Sequence, residues 1–183
     1  MSDAAKMGVM VKGAKYFESF AKADTIVFDK TGTLTEAQPR LACVLTTDGW
    51  SEDEVLRLSA CLEEHFPHPV ARAVVNAAGE RGLEHRERHA AVEYIVAHGI
   101  ASSIEGRRAI IGSAHFVFED EGAQLESDIK ERIESQMQGL SPLYLAVDGT
   151  VVGVLGIEDP LKPGVREAIA DLHALGVKHM VML

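Results

Sequence analysis

The chain has 183 residues, 46% hydrophobic and 25% charged, which suits one or two globular domains with cores of their own. A formal charge of -10 argues against a nucleic-acid backbone or an anionic membrane surface as partner. No apolar run reaches the roughly 18 residues of a membrane span, and residues 1–20 lack the charged-then-apolar layout of a signal peptide.

In chain order, residues 8–12 read as a short extended piece and residues 16–21 as a helical turn or two. The apolar, β-branched run Thr25-Ile26-Val27-Phe28 then ends abruptly in Asp29, followed by the Gly/Thr-rich turn Lys30-Thr31-Gly32-Thr33. This predicts a buried strand that delivers Asp29 to its C-terminal end, the edge where open parallel α/β sheets bind ligands. A carboxylate at such a tip can attack a phosphoryl group as a covalent nucleophile. The N–H groups and hydroxyls of Thr31, Gly32 and Thr33 can cradle the transferring oxygens, with Gly32 allowing close approach of the main chain.

After Thr35, the segment Glu36-Ala37-Gln38-Pro39 reads as a connector and residues 40–47 as a strand closed by Asp48-Gly49. Ser51-Glu52-Asp53-Glu54 is a capping box opening a helix that runs to about residue 64. Pro67 and Pro69 break the chain around His68, and a second helix follows, stopping near residues 79–82. Glu63 and His68 are thereby held near one another. A carboxylate can accept from the amino group of a purine and an imidazole can stack on it, although taken alone these residues more often mark a plain surface turn.

Residues 91–97, 100–104 and 108–111 read as three strands, the last two joined at Glu105-Gly106. Ser113 is placed to cap a short helix, and residues 125–138 form a charged helix with Leu125, Ile129, Ile133 and Met137 on one face. Residues 143–147 and 150–157 flank Asp148-Gly149, the clearest hairpin signal in the chain. A connector around Asp159-Pro160-Leu161-Lys162-Pro163-Gly164 leads to a helix over 165–175 and a strand over 177–183. A strand, a long insertion, a helix and a strand make the start of a doubly wound parallel sheet with another domain spliced in. Cys43 and Cys61 read as buried free thiols, and His85 and His89, at i, i+4 among charged neighbours, as part of a solvated face.

The run from Asp29 to Thr35 resembles, without a mismatch, the phosphorylation signature of the P-type ATPases. Phosphatases of the haloacid-dehalogenase type usually carry a second Asp two residues after the nucleophile, where this chain has Thr31; losing that acid/base suits a pump that must hold its acyl phosphate. The segment Glu63 to Ala71, with His68-Pro69, is similar to the Glu plus His-Pro segment of the heavy-metal-transporting branch. The resemblance implies an α/β fold: part of a haloacid-dehalogenase-like parallel sheet (residues 1–35 and 154–183) with an inserted α+β nucleotide-binding domain on an antiparallel sheet (36–153). It implies that Glu63, His68, Gly99 and Gly112 line an adenine site, with Ala97 where the branch has a first loop glycine. It further implies ATP and Mg²⁺ as cofactors, with Asp29 and Thr31 as partial Mg²⁺ ligands. Implied partners are the protein's own actuator and transmembrane domains and a transition-metal ion as transported substrate, at the cytosolic face of a membrane. The Thr-Gly-Asp, phosphate-facing lysine and Gly-Asp-Gly-x-x-Asp segments of the family do not occur in the 183 residues, so weak ATP binding with little turnover is expected of them. A soluble phosphatase and a non-catalytic nucleotide sensor are the alternatives.

Overall fold

The computed structural model describes residues 2–83, 93–95, 99–104 and 106–183. His85, His89, Ala97 and Glu105 lie outside these. The chain divides into two compact units, one made of Met1–Glu36 with Leu161–Leu183 and the other of Ala37–Pro160. The second boundary falls later than the 153/154 division expected from sequence, because the last strand of the larger unit continues to Glu158.

The smaller unit holds two N-terminal helices, α1 (Ser2–Lys6) and α2 (Ala14–Ala21), then β1 (Thr25–Phe28). It is completed by α6 (Val165–Ala174) and β8 (His179–Met182). β1 and β8 pair in parallel, with Thr25 opposite His179 and Phe28 opposite Met182. The crossover through α6 is the start of the doubly wound arrangement the sequence predicts. The expectation of a buried strand is corrected, however. Val27 is 54% exposed and Thr25 is exposed, because among the described residues the sheet has two strands and β1 has β8 as its one neighbour. The helix α1, five residues long, is not foreseen by any periodicity in the sequence.

The larger unit is built on a six-stranded antiparallel sheet in the order β2-β7-β6-β5-β4-β3. These strands are β2 (Arg40–Thr46), β3 (Glu93–Ile95), β4 (Gly99–Ile104), β5 (Arg107–Gly112), β6 (Ser141–Val147) and β7 (Thr150–Glu158). Successive residues send their side chains to opposite faces. Val44, Ile100, Ile111, Leu145, Val152 and Leu155 join a core with Val55, Leu56, Leu62 and Val74 of α3 (Glu52–Glu63) and α4 (Pro69–Glu80). Their neighbours Leu45, Ala101, Ile110, Tyr144, Val151 and Val154 join a second core with Phe116, Val117 and Ile129. Those three come from the wide helical turn His115–Asp120 and from α5 (Ser127–Gln136). Both faces are therefore covered, which is why Val151 to Ile157 of β7 reads as an unbroken apolar run rather than an alternation.

Local signals act as the sequence predicts. The Ser51 hydroxyl accepts from Glu54 N–H at 3.3 Å and the Glu54 carboxylate accepts from Ser51 N–H at 3.0 Å, so the capping box is complete. Asp148 and Gly149 take φ of 50° and 82°, the left-handed pair that a two-residue hairpin needs. The Ser113 hydroxyl accepts from Phe116 N–H at 3.3 Å. Cys43 and Cys61 form no disulfide among the described residues; Cys61 is buried as expected, whereas Cys43 is half-buried. Among the described residues no helix is long and apolar enough to cross a membrane.

Candidate functional site

The loop that follows β1 carries the first group of expected site residues. Asp29 is extended (φ −73°, ψ 141°) and its side chain is exposed at the C-terminal end of the strand. Thr31 stays extended (φ −76°, ψ 121°) and Gly32 turns the chain with φ 77°, a region where a side chain would be strained. Thr35, only 2% exposed, closes the loop: its hydroxyl accepts from Gly32 N–H at 3.3 Å and donates to Lys30 C=O at 3.3 Å. Gly32 N–H is thus spent inside the loop, which differs from the expected cradle in which it points at a ligand. Thr31 and Thr33 are exposed on the same turn.

A residue that the sequence reading passed over ties this loop down. Lys162 Nζ donates to Gly32 C=O, and Lys162 N–H donates to Leu34 C=O at 2.9 Å. The adjacent Leu161 forms an antiparallel bridge with Thr35. The returning segment therefore braces the turn that presents Asp29. Nothing local marks Lys162 for this role, because the carbonyl its side chain reaches, that of Gly32, lies 130 positions away in sequence.

The second group lies in the larger unit, where Glu63, His68, Gly99 and Gly112 all line one cavity of about 250 Å³. α3 ends at Glu63, and α4 starts after His68, whose Nδ1 accepts from Val70 N–H at 3.3 Å and so caps the new helix. Pro69 fills the first helical position, where a missing N–H costs nothing. That bond makes Nδ1 the acceptor and puts the proton of the neutral ring on Nε2. Phe66 and His68 stack at 5.7 Å with 23° between their planes, forming an aromatic wall. Ile100, Ile111 and Leu143 supply an apolar lining. Glu63 is 5% exposed, and among the described residues no hydrogen bond or ion pair reaches its carboxyl, so burial pushes it up from an ordinary 4.5 to about 7.

Gly99 and Gly112 face each other across β4 and β5. A Cβ on Gly99 would lie 2.2 Å from the fully buried Phe116 ring and 2.6 Å from Ile111 C=O. Gly99 therefore has a packing duty besides lining the cavity. Gly99→Ala is expected to destabilise the larger unit by about 1–3 kcal/mol, since ring and backbone both resist displacement. Urea denaturation would show it, and an unchanged midpoint would mean that the ring yields freely.

The haloacid dehalogenase-like hydrolase family profile matches residues 23–183. The chain belongs to that family. Within the haloacid dehalogenase-like hydrolases its likeness is to the catalytic region of heavy-metal P-type ATPases, an N-domain with part of a P-domain. It is 37% identical over 179 residues to a copper-exporting P-type ATPase of Legionella pneumophila, covering 98% of this chain and 24% of that protein. It is 33% identical to a zinc-exporting P-type ATPase of Mycobacterium marinum, covering 100% of this chain and 25% of that one. In three dimensions it resembles the crystal structure of a zinc-transporting PIB-type ATPase in the E2.Pi state, with a TM-score of 0.73 and 29% identity over 97% of this chain and 28% of the other. The chain thus spans about a quarter of the length of these relatives.

Proposed function

We propose that this chain is the ATP-binding and phosphorylation region of a heavy-metal cation-transporting P-type ATPase, with residues 37–160 holding the nucleotide and Asp29 accepting the γ-phosphate as an aspartyl-phosphate. The observation that carries the reading is the cavity where Glu63 and His68, Gly99, and Gly112, from three separate stretches of sequence, come together. Its shape and chemistry suit a purine. The Phe66/His68 pair offers a face for stacking, the apolar lining excludes water, and Glu63 is the polar group that can address an exocyclic amine. Supporting it is an exposed carboxylate held at a strand end by a braced turn.

In this reading a carboxylate oxygen of Asp29 attacks the γ-phosphorus in line, ADP leaves, and an acyl phosphate forms. The carboxylate of Asp29 and an oxygen of Thr31 are too few donors for a closed metal site, which fits Mg²⁺, an ion that takes one or two protein ligands and fills its shell with water and phosphate oxygens. When bound, Mg²⁺ supplies neutralisation of the phosphoryl charge. Thr31, standing where an acid/base would speed hydrolysis, leaves the acyl phosphate to persist. Similar proteins are named for copper, zinc and manganese export, so the transported ion is a transition metal of a type these residues do not select.

The 183 residues are expected to bind ATP at roughly millimolar Kd, about −4 kcal/mol, and to turn it over little. Calorimetric titration tests this, and a Kd in the low micromolar range or brisk release of phosphate would contradict it.

A further inference from the structure

Glu63 is an odd group to place against a nucleobase. It closes the inner wall of an apolar cavity at 5% exposure, with no cation among the described residues to offset its charge. From the same stretch of chain come Ser59, one turn earlier, whose buried hydroxyl has no hydrogen-bond partner among the described residues, and Glu64, which is exposed. From α4 come His68, with Nδ1 already engaged by Val70 N–H, and Arg72, exposed and lining a different cavity. β4 and β5 present Gly99, Ile100, Ile111 and Gly112, none of which titrates.

The hydrogen-bonding edge of adenine makes the consequence specific. N1 is an acceptor and the neighbouring N6 amine a donor. An ionised carboxylate offers two acceptors and no donor, so it can accept from N6 with one oxygen but leaves N1 unpaired, and laid along the N1–N6 edge it sets a lone pair against N1. It would instead suit guanine, where N1–H and the N2 amine both donate. A neutral carboxyl offers one donor and one acceptor, which match N1 and N6 together.

We propose that Glu63 reads the base as its neutral acid, with one carboxyl oxygen donating a hydrogen bond to adenine N1 while the other accepts from the N6 amine. The inference rests on the nucleotide-binding reading of the cavity and adds the protonation state that recognises the base. Binding above neutral pH then draws one proton from solvent onto Glu63. The isolation of the carboxyl, which burial has pushed up to about 7, keeps the acid form accessible at neutral pH.

The test is calorimetric titration of ATP and GTP into the 183-residue chain and its Glu63→Gln variant between pH 6 and pH 8, in buffers of different ionisation enthalpy. Only the acid-form fraction of wild type is competent, so its ATP affinity is expected to fall about tenfold from pH 6 to pH 8, with close to one proton taken up at pH 8. The amide of Glu63→Gln offers a permanent donor and acceptor, so this variant is expected to bind ATP about tenfold more tightly than wild type at pH 8 and to lose that proton uptake. GTP affinity is expected not to fall with pH in wild type. Identical pH profiles for ATP in wild type and variant would overturn the proposal while leaving nucleotide binding intact. Failure of both proteins to bind ATP at every pH would overturn it together with the nucleotide-binding reading.

Discussion

Replacing Asp29 with Asn, in a protein that joins this region to the remaining segments of a P-type ATPase, is expected to abolish the phosphoenzyme. An amide is a far poorer nucleophile than a carboxylate and cannot form the acyl phosphate. Losing the attacking group costs on the order of 10⁴-fold or more in enzymes that use one. The change is small for the fold, since the Asp29 side chain is exposed and the turn is held by Thr35 and Lys162. Acid quenching after brief exposure to radiolabelled ATP should therefore trap hydroxylamine-labile label in the parent protein and only background in Asp29→Asn. Label that survives the substitution would place the phosphate elsewhere.

Glu63→Gln is expected to stabilise the larger unit by about 3 kcal/mol at pH 8 and by little at pH 4.5. The native carboxyl, raised from 4.5 to about 7 by burial, holds its proton more tightly than the unfolded chain does. Below pH 4.5 both states are protonated and the group is neutral to stability. Between pH 4.5 and 7 the unfolded state ionises first, so stability falls as pH rises, and above 7 the whole penalty is present. Glutamine keeps the size and carries no charge, which removes the penalty. Urea denaturation at the two pH values measures it, and a gain at pH 8 no larger than that at pH 4.5 would show that Glu63 ionises without cost. A buried group that weakens the fold in this way, at the wall of a cavity, is the kind of expense that binding sites carry.

Short-range chemistry made much of this architecture legible. The capping box at Ser51 and Glu54, the Asp148-Gly149 turn and the His68-Pro69 helix start each specify their geometry within four residues, and each is found as read. The Asp29 turn was visible for the same reason, because a β-branched run ending in a carboxylate and a glycine at positive φ is a local pattern. What escaped depends on partners distant in sequence. The exposure of β1 follows from its having, among the described residues, β8 alone as neighbour, which no residue of β1 encodes. Lys162 acquires its function from a carbonyl 130 positions earlier. The family resemblance implies Gly99 as a cavity residue, but its packing against Phe116 is invisible in the sequence, since it takes the β4–β5 pairing to bring that ring underneath. The convergence of Glu63, His68, Gly99 and Gly112 was inferred from resemblance to a family, and the fold supplies its physical basis in one shared cavity.

The most direct measurement is a residue-resolved NMR titration of the isotope-labelled chain with ATP. The account predicts that amide shifts concentrate at residues 63, 68, 99 and 112 and their immediate neighbours, saturating in the millimolar range. Shifts that leave those four unmoved, or that gather on the opposite face of the sheet around α5, would contradict it.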